Sequence, residues 1–268
     1  MARADGLGAE GLIARERLGE EKAAVETVAE ALVEKDAVAR MHGGDHTLWQ
    51  DDPTEVADRL GWLPVVADMQ RRLADLEDLA AAVAADGLEH AVVMGMGGSS
   101  LFPEVLWQTF GAAYGRLDLR VLDTTDPAAI ARVEAEIDLS RTLFIAASKS
   151  GTTIETTSQL AHFWDRTGGD GSRFVVITDP GTKLAALGAE RGFRAVLENR
   201  PDIGGRYSAL SLFGLVPGAL LGADIAGLLL RASAVAEATA PGDDAANPAV
   251  RLAAVLSGCA RAGRDKLT

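Results

Sequence analysis

From His90 onward the apolar and polar positions fall into two alternating rhythms. Short apolar runs recur at His90-Ala-Val-Val-Met94, Leu119-Arg-Val-Leu-Asp-Thr124, Thr142-Leu-Phe-Ile-Ala-Ala147, Phe174-Val-Val-Ile177 and Arg194-Ala-Val-Leu197. Runs of this length and apolar content read as strands covered on both faces. Patterns of helical period separate them: one ends near Phe110, one starts at Pro127, one runs from Ile154 to Trp164, and one opens at Pro180-Gly-Thr-Lys183. Strands alternating with helices predict right-handed βαβ units, and so a three-layer αβα sandwich around a five-stranded parallel sheet. Such sheets take their ligands outside the carboxyl ends of the strands, where the strand order reverses.

Before the sheet, residues 1–40 carry apolar positions at helical spacing, as in Glu21-Lys-Ala-Ala-Val-Glu-Thr-Val-Ala-Glu-Ala-Leu-Val33, and predict an amphipathic helix. Gly43-Gly44 and Asp51-Asp-Pro53 break the pattern. His46 in this loop reads as a structural histidine beside Asp45. Pro53-Thr-Glu-Val56 reads as a helix start, Leu60-Gly-Trp-Leu63 as a turn, and Val65 to Ala85 as one long helix. After the fifth strand, helical patterns cover Ala209 to Ala223, Ile225 to Ala238 and Asn247 to Arg261. Arg264-Asp-Lys-Leu-Thr268 is charged and carries no closing signal, so the expectation is that the pattern continues past it.

Composition narrows the partners. The 268 residues suffice for a sizeable core, and 26 basic against 39 acidic residues give a formal charge of −13. That charge disfavours nucleic acid and anionic membranes as partners, and any anion site has to work through local donors. Cys259 is the single cysteine, which excludes a disulfide framework and a cysteine-based zinc site, and its apolar setting predicts a buried, inert thiol. No apolar run has the length of a membrane span and the N-terminus lacks a signal-type apolar region, so the expected location is cytoplasmic.

The chemistry gathers at strand ends. Ser148-Lys-Ser-Gly-Thr-Thr153 lies where the third strand turns into a helix, and it brings four hydroxyls, one lysine and one glycine to a helix N-terminus. The first amides of a helix lack internal partners and carry partial positive charge, so hydroxyls there either cap the helix or join the amides in holding an oxyanion. The number of hydroxyls, with Lys149 and Gly151 among them, favours the oxyanion. Gly95-Met-Gly-Gly-Ser-Ser100, after the first strand, offers backbone donors and two hydroxyls. It lacks the third spaced glycine of a dinucleotide fingerprint, which leaves a nucleotide reading weak. Gly204-Gly-Arg206 lets the backbone carry a guanidinium into a crowded pocket, where it suits an oxyanion formed during reaction, or else is a surface arginine after a turn. His162 and Trp164 read as packing, and Asp179 as the cap of the following helix.

Gly95-Met-Gly-Gly-Ser99, Ser148-Lys-Ser-Gly-Thr-Thr-Ile-Glu-Thr156 and Gly204-Gly-Arg-Tyr-Ser208, in this order, resemble the glucose-6-phosphate isomerase (phosphoglucose isomerase) family. The sheet region resembles the sugar isomerase (SIS) domain, of flavodoxin-like fold. Asp45-His-Thr-Leu-Trp49 and Ala57-Asp-Arg-Leu-Gly-Trp62 resemble the version fused to transaldolase in some bacteria. The resemblance implies a helical extension over 1–65, a phosphosugar-binding domain over 66–240, and over 241–268 the start of a helical connection to a second sugar isomerase domain. It implies that Gly97, Gly98, Ser99, Ser148, Lys149, Ser150, Thr152 and Thr153 hold the phosphate of a sugar phosphate, that Arg206 stabilises an enediolate, and that Glu155 is an active-site glutamate. It implies no metal ion and no organic cofactor, and either a homodimer or association with the second domain. Gly151 stands where many relatives have a larger residue, which implies a looser loop. The base that takes the C2 proton, the ring-opening histidine and a C-terminal lysine belong in the family to the second domain, and none has a match in residues 1–268. The expectation is a chain that binds sugar phosphate without turning it over. The alternative is a non-catalytic phosphosugar-binding or regulatory module built on the same loops.

Overall fold

The computed structural model describes Leu12 and residues 15–266. Two compact units divide the chain: residues 64–227 form one, and the described residues before 64 and after 227 form the other. In chain order the helices are α1 (Lys22–Glu34), α2 (Ala37–His42), α3 (Val65–Arg71), α4 (Leu73–Ala85), α5 (Leu101–Phe110), α6 (Pro127–Glu136), α7 (Ile154–Arg166), α8 (Lys183–Glu190), α9 (Leu212–Leu221), α10 (Ile225–Ala238) and α11 (Pro248–Arg261). The strands are β1 (His90–Gly95), β2 (Asp118–Leu122), β3 (Thr142–Ala147), β4 (Phe174–Thr178) and β5 (Ala195–Glu198). Among the described residues no helix is long and apolar enough to cross a membrane.

The sheet is parallel throughout, in the order β2-β1-β3-β4-β5, with Gly95 opposite Ala147 at the end of the β1–β3 ladder and Ala147 opposite Ile177 in the β3–β4 ladder. The apolar runs form strands here because both faces are covered. Val92, Met94, Phe144, Ala146, Phe174 and Val176 meet Leu160 and Phe163 of α7 and Leu184 of α8, with Ile130 and Val133 of α6 beside them. On this side the Phe144 ring stacks between Phe163 at 4.6 Å and Phe174 at 5.2 Å. The alternate residues Ala91, Val93, Leu143, Ile145, Val175 and Ile177 are equally buried on the opposite face. There α9, buried along its whole length, packs with α4 and α5. The result is the αβα sandwich that the alternating pattern predicts.

Three sequence expectations change. The helix expected over Val65 to Ala85 is two helices, broken at Arg72, whose φ of −98° and ψ of 1° leave the helical region. Pro53 to Val56 does not start a helix: Asp52 caps the Thr54 amide in a local turn, and Glu55 sits at a φ of +62°, which stops propagation. Cys259 is half-buried rather than enclosed. In the other unit α1 packs on α11 around Val25, Val28 and Ala254, with Gly258 against the Val25 backbone.

Candidate functional site

The strand order reverses between β1 and β3: β1 leads outward to β2, and the chain then crosses back to β3 on the other side of β1. In sheets of this order the ligand crevice lies beyond the carboxyl ends of the two strands at the reversal. The loops that leave them are 96–100 and 148–153, the two loops the sequence marks for anion chemistry.

The first loop forms a short 3₁₀ turn, Gly97–Ser99, leading into α5. Its position is set by the Gly205–Tyr207 turn after β5. A Cβ built on Gly98 would lie 1.9 Å from the Gly205 carbonyl oxygen, so only glycine admits this approach. The Ser208 hydroxyl donates to the Gly98 carbonyl at 2.8 Å and contacts the Gly205 carbonyl at 2.7 Å. The first and third motifs of the sequence are thus one structure. Ser99 is half-buried beside the loop, and Arg206, next to Gly205, is exposed, with no hydrogen bond or ion pair among the described residues.

In the second loop the Ser148 side chain is buried and its Oγ lies 2.9 Å from Thr153 Oγ1. Ser150 Oγ and Thr152 Oγ1 form a second hydroxyl pair at 3.0 Å. Thr153 stands at the N-cap of α7, yet its side chain makes no cap hydrogen bond. Simple capping therefore does not account for its hydroxyl, and the first amides of a thirteen-residue helix are left without a side-chain cap. Glu155 sits half-buried in that first turn. Gly151 is buried at a φ of +66°, with Thr182 Cβ 2.7 Å from where a Cβ would stand. The loop is thus enclosed at Gly151.

Lys149 is engaged by other partners than the hydroxyls: its Nζ donates to Asp179 Oδ2 and to the Pro201 carbonyl, both at 2.5 Å. Asp179 is therefore not the cap of α8, a role taken by Thr182 Oγ1, which accepts from the Ala185 amide at 3.2 Å. The β3–β4 register pairs Ala147 with Ile177, and the same offset continued by two residues sets Lys149 beside Asp179. The segment that leads to the Gly-Gly-Arg turn is fixed by Arg200, which holds Asp202 through two bonds of 2.9 and 2.5 Å and reaches Asp68 of α3 at 2.5 Å. The Arg200 hydrogen bonds hold the Asp202 carboxyl below its usual range against the opposing effect of burial. His46 contacts the Asp51 carbonyl, and His162 pairs with Glu134 while edging Phe163. Trp164 packs on Phe174 and Phe193.

The phosphoglucose isomerase family model matches residues 51–245. A glucose-6-phosphate isomerase of Acaryochloris marina is 38% identical over 168 residues, which cover 60% of this chain and 32% of that protein. One of Thermus thermophilus is 39% identical over 151 residues, 54% of this chain and 36% of that protein. The chain thus spans about a third of the length of these curated relatives. Among solved structures, a hypothetical protein of Thermus thermophilus superposes with a TM-score of 0.74 at 28% identity, over 88% of this chain and 55% of that one. A glucose-6-phosphate isomerase of Chlamydia trachomatis shares the fold, with a TM-score of 0.72 at 22% identity, over 88% of this chain and 50% of that one.

Proposed function

Because the chain belongs to the phosphoglucose isomerase family, we propose that its β1–β3 cleft holds the phosphate of glucose 6-phosphate or fructose 6-phosphate as part of an aldose–ketose isomerase. The phosphate sits against the hydroxyls of Ser99, Ser148, Ser150, Thr152 and Thr153, the backbone of Gly97 and Gly98, and the first amides of α7. The observation that carries this reading is the arrangement of the second loop. Its hydroxyls pair with one another beside an α7 N-terminus that no side chain caps, so the donors are gathered and not used up by the helix. Hydroxyl pairs can rotate their protons toward an incoming oxyanion.

Interconversion of the two sugar phosphates moves a proton between C1 and C2 through an enediolate. Arg206, exposed and without a protein partner among the described residues, supplies a permanent charge for that oxyanion. The step also needs a base within hydrogen-bond reach of the proton. Glu155 is the carboxylate offered by the cradle itself, but the segment that carries the family's base has no counterpart in residues 1–268. The chain is therefore assigned the phosphate cradle and the enediolate-stabilising arginine, with the base supplied from outside it.

The test is calorimetry with fructose 6-phosphate run beside a coupled isomerase assay. Binding without turnover is expected. Turnover by these 268 residues would put the base inside the chain, with Glu155 the first to substitute. Absence of binding would refute the cradle. Ser148→Ala combined with Thr153→Ala is expected to weaken binding by about 1–3 kcal/mol, the scale of hydrogen bonds to a charged group. Arg206→Ala is expected to weaken binding of a hydroxamate mimic of the enediolate more than binding of the sugar phosphate itself. Equal losses would deny Arg206 its role at the reacting carbons.

A further inference from the structure

The lysine of the phosphate loop is the obvious cation for a phosphate, yet its side chain is engaged by Asp179 and the Pro201 carbonyl. The Lys149 ammonium has three N–H donors, and two are given to Asp179 Oδ2 and the Pro201 carbonyl. The same neighbours hold the Lys149 backbone: its carbonyl accepts from the Asp179 amide at 3.2 Å and lies 3.5 Å from Thr178 Oγ1. One residue earlier the Ser148 amide donates to the Ile177 carbonyl at 3.0 Å. Two residues later Gly151 packs against Thr182, whose hydroxyl lies 2.9 Å from that of Thr178. The loop after β3 is thus fastened at Ser148, Lys149 and Gly151 to the segment 177–182.

We infer that Lys149 and Asp179 are positioning residues: their ion pair clasps the phosphate loop to the end of β4, and the phosphate is received by uncharged donors. The inference rests on the sugar-phosphate reading of the cleft and deepens it. Asp179 is largely buried, with 14% of its side chain exposed, and Lys149 has 28%. A lysine that swung out to an anion would have to break this largely buried ion pair. The clasp also bears on the hydroxyls: Ser148 is the residue before Lys149, and its Oγ lies 2.9 Å from Thr153 Oγ1.

The two roles open to Lys149 give opposite signs, so one set of variants separates them. Glucose 6-phosphate binding is measured by calorimetry for the wild type, Lys149→Met, Asp179→Asn and the double variant. If the pair is a clasp, each single variant lowers affinity by roughly three- to tenfold, the scale of one net hydrogen bond. The double variant is then no weaker than the weaker single within about twofold, because both remove the same contact. If Lys149 is an anion ligand held in check by Asp179, Asp179→Asn frees the ammonium and strengthens binding while Lys149→Met weakens it, and that outcome overturns the inference.

Amide hydrogen exchange in the unliganded chain reads the clasp without any ligand. The Asp179 and Gly151 amides, both bonded at this loop, exchange faster in either single variant, while the core amides of Ile145 and Val176 keep their wild-type rates. Unchanged rates at Asp179 and Gly151 overturn the clasp. Acceleration in the core as well assigns the pair to general stability and likewise overturns a positioning role. A wild-type chain that binds no sugar phosphate refutes the proposed function, and the exchange data then judge the clasp alone.

Discussion

An alanine at position 98 would put its Cβ against backbone, 1.9 Å from the Gly205 carbonyl oxygen, and neither loop has a flexible side chain there to yield. Gly98→Ala therefore has to separate the first loop from the turn that carries Arg206. Its expected cost is about 1–3 kcal/mol of overpacking, read as a lower urea midpoint at unchanged slope. Gly151→Ala combines a left-handed backbone with a Thr182 Cβ at 2.7 Å, and the expected loss is at least as large. Thr182→Gly in the Gly151→Ala background removes the Cβ and Oγ1 that the new methyl meets, at the small cost of a glycine N-cap, and is expected to restore part of the loss. No recovery would mean that backbone strain dominates. Both glycines stood out in the sequence as loop glycines, but what each approaches was not legible, because the contacts come from segments more than thirty residues away in both cases.

At the scale of elements, the strands were legible almost to the residue. A strand buried on both faces has to be apolar on both, and such short runs have no competing amphipathic reading here. Helix ends were less legible. Nothing in the apolar period of residues 65–85 marks Arg72, and the left-handed Glu55 follows from a turn that Asp52 nucleates. The cleft was legible as three motifs in order, and the topology rule placed two of them together. The Lys149–Asp179 pair was not read, although the β3–β4 register aligns it, because Asp179 before a proline and glycine also fits a helix cap. The Arg200–Asp202 pair makes an element-level prediction. Its carboxyl is lowered on folding, so its contribution is complete above the ordinary carboxylate range and is lost as pH falls through that range and below. Asp202→Asn is expected to lower stability at about pH 7 by under 1 kcal/mol, as suits a partly exposed pair. That difference is expected to shrink steadily as pH falls through and below the ordinary carboxylate range, compared by urea unfolding. A difference that holds constant with pH would show that Asp202 matters through packing rather than charge.

Across the whole chain, charge and site work against each other. The formal charge of −13 repels a sugar phosphate at long range, whereas the cleft attracts it through hydroxyls and amides that act only at contact. Salt separates these ranges. Raising ionic strength from about 10 to 150 mM shortens the Debye length from about 30 to about 8 Å, which screens the distant acidic surface and leaves contacts within hydrogen-bond distance almost untouched. A site built on exposed cations loses affinity over this range. A site built on neutral donors beneath an acidic surface keeps its affinity or gains it, because the repulsion is what salt removes. Arg206 is the exposed cation beside the cleft, so Arg206→Ala tilts the balance further toward a gain with salt. The expected result for glucose 6-phosphate is an affinity constant within about twofold, or rising, from low salt to about 150 mM, with the steeper rise in Arg206→Ala. A wild-type loss of about tenfold over the same range would show that a local positive field dominates, and Lys149 would then be the residue to suspect of reaching the anion after all.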